Sequence, residues 1–156
     1  MNDTTDTANV IIRPPIAWAL AVLAGLALQW FVAVPFMPAS MSSGWIGGMV
    51  FVAALSLFGW AIDIVTRAGS NVPTSMPTTA IVVTGPYRFT RNPIYLSMCL
   101  GLIGLAIAFN NVWLLGTLAL FALVIRYGVV AREEAYLERK FGDAYRHYRT
   151  RVRRWL

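Results

Sequence analysis

Uncharged residues fill two long runs of the chain. Between Arg13 and Asp63 lie 49 consecutive residues without a charge, and between Arg91 and Arg126 lie another 34. About 20 helical residues cross the roughly 30 Å hydrocarbon core of a bilayer. Each run is therefore too long for one crossing and suits two, so the pattern predicts an all-α polytopic integral membrane protein with about four transmembrane helices.

Residues that break helices divide each run into two spans. Pro35 and Pro38, followed by a polar turn, interrupt the first run, and Asn110 with Asn111 interrupts the second. After the last span the pattern becomes charged and amphipathic, which predicts a cytoplasmic C-terminal helical segment. The single predicted domain, 1–156, comprises spans at 14–37, 45–66, 93–109 and 112–130, a polar connector at 67–92 and a tail at 131–156.

Three glycines lie close together at the start of the second span: Gly44, Gly47 and Gly48. This small-xxx-small spacing allows two membrane helices to approach closely. Ordinary tolerance of glycine in membrane helices explains the same residues, so helix packing at this position is a hypothesis.

Basic residues are distributed unevenly among the polar segments. The turns near residue 40 and at 110–111 hold none, the connector holds three arginines, and the segment from Arg126 onward holds nine basic residues. By the positive-inside rule, connector and tail are cytoplasmic, so both termini are predicted to lie inside. In a bacterium, the membrane would be the inner (cytoplasmic) one. The net charge of +6 indicates anionic membrane lipids as partners and requires no nucleic acid.

Composition agrees with this reading and limits the chemistry. The chain is 58% apolar and 13% charged, whereas soluble domains are nearer half apolar and a quarter charged. Its one cysteine, Cys99, excludes an internal disulfide. A single histidine, His147, without a Cys/His cluster predicts that no metal is bound.

Two polar stretches carry the candidate chemistry. The first, Thr84-Gly-Pro-Tyr-Arg-Phe-Thr-Arg-Asn-Pro-Ile-Tyr95, ends where the third span begins. Arginines and tyrosines are also ordinary interface anchors, so composition alone leaves its role open. In the second stretch, Glu133 and Glu134 follow the fourth span in a basic environment. Carboxylates there should pair with arginines or with a cationic ligand.

Together these stretches resemble the isoprenylcysteine carboxyl methyltransferase and phospholipid methyltransferase group of membrane enzymes. The resemblance covers roughly 67–156. Its motifs stand in order as Gly85-Pro-Tyr87, Arg91-Asn-Pro-Ile-Tyr95, Glu133-Glu134 and Phe141-Gly-Asp-Ala-Tyr145. It implies S-adenosyl-L-methionine as cofactor, with these cofactor-binding positions: Tyr87, Asn92, Pro93, Ile94, Tyr95, Glu133, and the stretch Thr79, Ala80, Ile81 and Val82.

The chemistry of this cofactor assigns further roles. Arg88 or Arg91 can clamp its carboxylate, and Glu133 or its neighbour Glu134 can accept from its ammonium or ribose. Tyrosine rings can face the adenine or the sulfonium. We take Arg91, Asn92 and Glu133 as the catalytic set, in which positioning supplies most of the catalysis.

The chain departs from the family pattern at two positions. Asn92 replaces the usual histidine and cannot titrate, so we expect it to orient the cofactor and to cap the third helix. In the eukaryotic members an arginine before the glutamate pair is implicated in substrate binding. Here Val129 occupies that position, so Arg126 or Arg132 is the candidate for the substrate-binding role.

The favoured function is therefore methyl transfer from S-adenosyl-L-methionine to a lipid-like or prenylated acceptor at the cytoplasmic membrane face. An isoprenylcysteine carboxylate-like acceptor is favoured, with a phospholipid amine or a small thiol as alternatives. Two other classes stay open. Sterol reductases resemble this group in their C-terminal region and use NADPH. A non-enzymatic membrane scaffold would use the glycine-bearing span to pair helices.

Overall fold

The computed structural model describes residues 6–38, 41 and 44–156, and all the regular structure within them is helical. A 3₁₀ turn at Gly85–Arg88 lies in the connector, and a π-helical turn at Ile125–Val130 lies within the fourth long helix. The α-helices are α1 (Pro14–Phe31), α2 (Gly44–Arg67), α3 (Pro93–Ala108), α4 (Val112–Val124), α5 (Ala131–Phe141) and α6 (Asp143–Arg151).

Three helices are long and apolar enough to cross a membrane: α1, α2 and the continuous helix Val112–Phe141. Helix α3 is apolar but has 16 residues, which corresponds to about 24 Å of rise. Only 17% of the apolar window of α1, and the same share of α2, is buried within the protein. The exposed apolar faces of these helices confirm a membrane protein, because soluble proteins rarely expose apolar surface of this extent to water.

Helix α1 ends earlier than the sequence predicted. The first span was expected at 14–37, but the helix stops at Phe31. The residues that follow are held instead by the hairpin between α3 and α4: Val32 O accepts from Trp113 Nε1 at 2.7 Å, and Met37 N donates to Asn110 Oδ1 at 2.9 Å. Part of the predicted turn, residues 39, 40, 42 and 43, lies outside the described residues.

Helices α2 and α3 cross through glycines. A Cβ at Gly47 would lie 2.2 Å from Ala108 N, and one at Gly104 would lie 2.7 Å from Phe51 N. Gly48, by contrast, has open space around it. The predicted close approach is therefore present, but Gly47 carries it rather than the Gly44/Gly48 pair.

The fourth span continues beyond its predicted end. The sequence predicted a boundary at residue 130, yet α4, the π turn and α5 form one uninterrupted helix, Val112–Phe141. The apolar part ends near Val130, and the charged residues of α5 extend past it. Gly142 ends α5 with φ +54°, a conformation that suits glycine, and α6 follows as predicted.

The two ends of the bundle are built differently. At the first, which we call the asparagine end, Asn110 and Asn111 join α3 to α4. Asn110 binds the chain after α1, and Asn111 donates to Gly25 O within α1. At the opposite end, which we call the site end, three segments meet: residues 6–12, the connector and the region after α4. Ile11 N donates to Gly128 O, and Arg91 N donates to Arg153 O.

Candidate functional site

A cavity lies at the site end between the connector, the first turn of α3 and helices α5 and α6. Its walls combine apolar connector residues with charged and phenolic groups from the two candidate stretches. It is lined by Ala8, Val65, Ser70, Asn71, Val72, Pro73, Thr74, Met76, Thr78, Ala80, Ile81, Val82, Tyr87, Arg91, Asn92, Pro93, Ile94, Tyr95, Glu133, Glu134, Tyr136, Leu137, Tyr145 and Tyr148.

Glu133 is the carboxylate most open to the cavity. The buried Tyr95 donates its hydroxyl to Glu133 Oε1 at 2.6 Å. The second oxygen makes no hydrogen bond within the described residues. Although part of its surface borders the cavity, protein atoms surround Glu133, and this desolvation raises the pKa of its carboxyl to about 7; the Tyr95 hydrogen bond lowers it and nearby Glu134 raises it further. A cationic ligand beside Glu133 would favour its ionised form near neutral pH.

The adjacent Glu134 is already paired. Arg154 donates to it through Nε, 3.0 Å from Oε1, and through Nη2, 2.6 Å from Oε2. Arg91 Nη1 lies 3.2 Å from Oε1 in a second ion pair. The two neighbouring glutamates thus differ: both oxygens of Glu134 are paired with arginine, whereas Glu133 has one oxygen without a hydrogen bond among the described residues.

Asn92 occupies the N-cap position of α3, but the expected cap is wrong. Its side chain makes no capping hydrogen bond; Nδ2 donates instead to Arg154 O at 2.9 Å, and Asn92 N donates to Thr90 Oγ1 at 3.2 Å. Pro93 at the first helical position has no amide hydrogen, which reduces the need for a cap. Asn92 therefore binds the C-terminal segment to the cavity wall.

Tyrosines form much of the remaining wall. Tyr148 donates its hydroxyl to Tyr87 O at 2.8 Å. Burial raises the pKa of both phenols, so they stay neutral donors. The hydroxyl of Tyr136 accepts from Thr78 N at 3.2 Å and donates to Asp6 O at 3.1 Å, which joins the connector to the N-terminal segment.

The structure brings most of the predicted site residues to this cavity. Eleven of them line it: Tyr87, Arg91, Asn92, Pro93, Ile94, Tyr95, Glu133, Glu134, Ala80, Ile81 and Val82.

Four predicted residues are placed elsewhere. Thr79 Oγ1 donates to Gly69 O, and Arg88 is exposed. Arg126 lies over the ring of Tyr127. Arg132 Nη1 donates to Asn9 O at 2.8 Å, so its side chain fastens the N-terminal segment.

Sequence reasoning assigned no role to Tyr136, Tyr145, Tyr148 or Arg154. Tyr145 ends a motif of the family resemblance, and that motif was the available signal for it. The others come from amphipathic helices and a basic segment in which many tyrosines and arginines look equivalent.

A second cavity, of about 210 Å³, lies within the membrane-spanning region and is almost entirely apolar. It opens between α1, α2 and α3, and Trp18 closes one wall by donating Nε1 to Met98 O at 2.9 Å. The two cavities share α3: residues 93–95 border the first, and Ser97, Met98 and Gly101 border the second.

Comparison with known proteins places the chain in a family. The chain is 48% identical to an uncharacterized protein of Haemophilus influenzae over 65 residues, which is 40% of this chain and the whole of that relative. No solved structure matches. The family model described as phospholipid methyltransferase matches residues 42–144, a range that includes both glutamates and most of the cavity wall. The chain therefore belongs to the phospholipid methyltransferase family, whose members are membrane methyltransferases.

Proposed function

We propose that this protein transfers a methyl group from S-adenosyl-L-methionine to a lipid-like acceptor at the membrane surface. One observation carries the proposal: the same cavity is bordered by Glu133, which has an oxygen without a hydrogen bond among the described residues, by Arg91 and by several phenol rings. A ligand that carries a cationic group, an anionic group and an aromatic base would match these side chains. S-adenosyl-L-methionine, which supplies its sulfonium methyl group when bound, has all three features.

The chain's own residues supply binding and positioning. The open oxygen of Glu133 can accept from an ammonium or ribose hydroxyls, and Arg91 can donate to a carboxylate. Tyr87 and Tyr95 lie on the same wall, where aromatic groups attract a sulfonium. No step requires a metal, because alignment of the acceptor with the methyl group supplies most of the rate.

The apolar cavity supports a lipid-like acceptor. Its position beside α3 would place an acyl or prenyl chain in the bilayer while a polar head group reaches the first cavity around Tyr95. We favour an isoprenylcysteine carboxylate-like acceptor. A phospholipid amine is the second candidate, because the matching family is that of phospholipid methyltransferases.

Ligand binding tests the cofactor assignment. Calorimetry of the protein in detergent should give saturable binding of S-adenosylhomocysteine and none of NADPH. Binding of NADPH alone would point to a reductase, and binding of neither would point to a scaffold. Incubation of membranes with methyl-labelled S-adenosyl-L-methionine then identifies the acceptor, since label enters either the phospholipid fraction or a prenylated fraction.

We further propose four crossings with the site end in the cytoplasm. Connector and C-terminal segment meet at this end, and the basic residues concentrate there. A reporter fused after Leu156 should be active only if it is a cytoplasmic reporter. Activity of a reporter that works only outside the cytoplasm would contradict this topology.

A further inference from the structure

The segment after α6 is hydrogen-bonded along the motif residues that border the site cavity. Arg91 N donates to Arg153 O at 3.0 Å. Arg154 O accepts from Asn92 Nδ2 at 2.9 Å and from Thr90 Oγ1 at 3.0 Å. These bonds fix the backbone at Arg154 and hold its side chain against the cavity wall.

Arg154 donates hydrogen bonds to both carboxylate oxygens of Glu134. Its Nε and Nη2 lie 3.0 and 2.6 Å from Oε1 and Oε2, the two-pronged geometry that makes arginine–carboxylate pairs strong. The Glu134 side chain is only 10% exposed, so water screens the pair weakly. Arg91 also pairs with Glu134, with Nη1 3.2 Å from Oε1, but makes no hydrogen bond to it.

Arg91 consequently keeps most of its donors free. Its one side-chain hydrogen bond among the described residues, to the hydroxyl of Tyr145, uses Nη1, and Nη1 also lies 3.2 Å from Glu134 Oε1. Within the described residues Nη2 donates no hydrogen bond, and Nε is the one buried side-chain polar atom without a partner. A buried donor left unpaired is energetically costly, so the surroundings must impose this arrangement.

We propose that Arg154 is a positioning residue that reserves Arg91 for the carboxylate of the cofactor. Because Arg154 occupies the two-pronged face of Glu134, Arg91 cannot form its own two-pronged pair there. The three side chains together carry one net positive charge beside the cavity, which favours an anionic group. Without Arg154, Arg91 would turn two nitrogens toward Glu134 and the remaining pair would be neutral. This inference rests on the proposed S-adenosyl-L-methionine site.

Two ligands that differ in the carboxylate test the idea. S-adenosylhomocysteine carries the amino-acid group, whereas 5′-methylthioadenosine keeps the adenosine and the sulfur but lacks it. In Arg154→Ala the dissociation constant of S-adenosylhomocysteine should rise about tenfold, as expected for a lost charge-assisted contact. That of 5′-methylthioadenosine should stay within about twofold. Arg154→Lys, which keeps the charge but reaches one oxygen, should give an intermediate value.

Arg151→Ala is the matched control, because Arg151 is exposed and forms no ion pair among the described residues. It should change neither dissociation constant. Equal weakening of both ligands in Arg154→Ala would mean that Arg154 only supports the fold, and unchanged binding of both would also overturn the proposal. If Arg154→Ala cannot be recovered folded, the ratio of the two constants in Arg154→Lys decides. Failure of the unsubstituted protein to bind S-adenosylhomocysteine would instead contradict the proposed function itself.

Discussion

The asparagine end and the site end both hold buried polar side chains, but they use them differently. Asn110 and Asn111 each accept two backbone hydrogen bonds and donate one, so their amides are well satisfied and carry no charge. At the site end, Glu133 uses one oxygen and Arg91 uses one terminal nitrogen, beside a cavity. Satisfied amides join helices, whereas charged groups with unused hydrogen-bonding capacity are suited to a ligand.

The largest effect should come from the asparagine end. Asn111 is fully buried, accepts from Trp113 N and Leu114 N, and donates to Gly25 O. Asn111→Ala leaves these groups unpaired, so we expect the free energy of unfolding to fall by about 2–4 kcal/mol. Denaturant titration in detergent measures this loss, and the molecules that remain folded should bind S-adenosylhomocysteine normally.

Gln29→Ala is the control at the same end, because Gln29 accepts one longer bond, 3.3 Å from Val34 N. It should cost clearly less than Asn111→Ala. A large loss of ligand affinity in folded Asn111→Ala would break the proposed division between the two ends.

At the site end the expected effect is on binding. Glu133→Gln removes the charge that faces the ligand and should weaken S-adenosylhomocysteine binding by about 1–3 kcal/mol, without lowering stability. Tyr87→Ala should weaken it by a similar amount, through lost contact with the ring. Glu138→Gln serves as the comparison and should have little effect, because Glu138 pairs with Arg149 on the outer surface. Equal effects at Glu133 and Glu138, measured by calorimetry, would show that the assignment is wrong.

Titration gives a smaller, graded effect. The pKa of Glu133 is raised to about 7, so its carboxyl is mostly protonated at pH 6 and mostly ionised at pH 7.5. The ionised form binds an ammonium, so ligand affinity should rise several-fold, and at most about tenfold, over this interval. The stability of the ligand-free protein changes in the opposite sense. It falls as pH rises from about 4.5 to about 7, because over this range the folded protein keeps a proton on Glu133 that the unfolded chain has released. In Glu133→Gln the pH dependence of affinity should disappear; an unchanged slope would assign it to another group.

The smallest effects are expected at Asn92. Asn92→Ala loses the bond to Arg154 O, and should cost about 1 kcal/mol of cofactor affinity. Asn92→His can still donate from a ring nitrogen and should change the methylation rate little. The pH–rate profiles of both proteins check this. A large rate gain in Asn92→His, with a new ionisation near the ordinary histidine value of about 6.5, would show that a titrating base belongs at this position.

The local pattern was sufficient for the helices and for much of the cavity wall. Long charge-free runs form helices in a bilayer, because the backbone must satisfy its hydrogen bonds internally. Helices over most of the four predicted spans and the turn at Asn110-Asn111 followed from that and from residue types. Tyr87, Tyr95 and Glu133 were assigned by the family resemblance, whose motifs are local in the chain, and all three border the cavity.

The partners of the charged residues were not predictable in the same way. Glu133 and Glu134 are identical in type and adjacent, and both border the cavity. Yet Glu133 has one oxygen without a hydrogen bond among the described residues, whereas Glu134 is paired by Arg154, 20 residues further along the chain. Several arginines of the basic segment were equally plausible partners from the sequence. The packing of that segment along Arg91 and Asn92 determines that Arg154 is the partner of Glu134.

The π turn in the fourth long helix was likewise not predictable from the sequence. The π turn at Ile125–Val130 changes the number of residues per turn just before the glutamates, and such turns often occur at functional sites. Within it, Gly128 O accepts from Ile11 N at 3.1 Å, and the Ile11 side chain lies against the space that a Cβ of Gly128 would approach. Residue types alone distinguish poorly between an α and a π turn. The π turn, and with it the direction of Glu133, therefore belongs to the tertiary structure, in which segments more than a hundred residues apart meet at this turn.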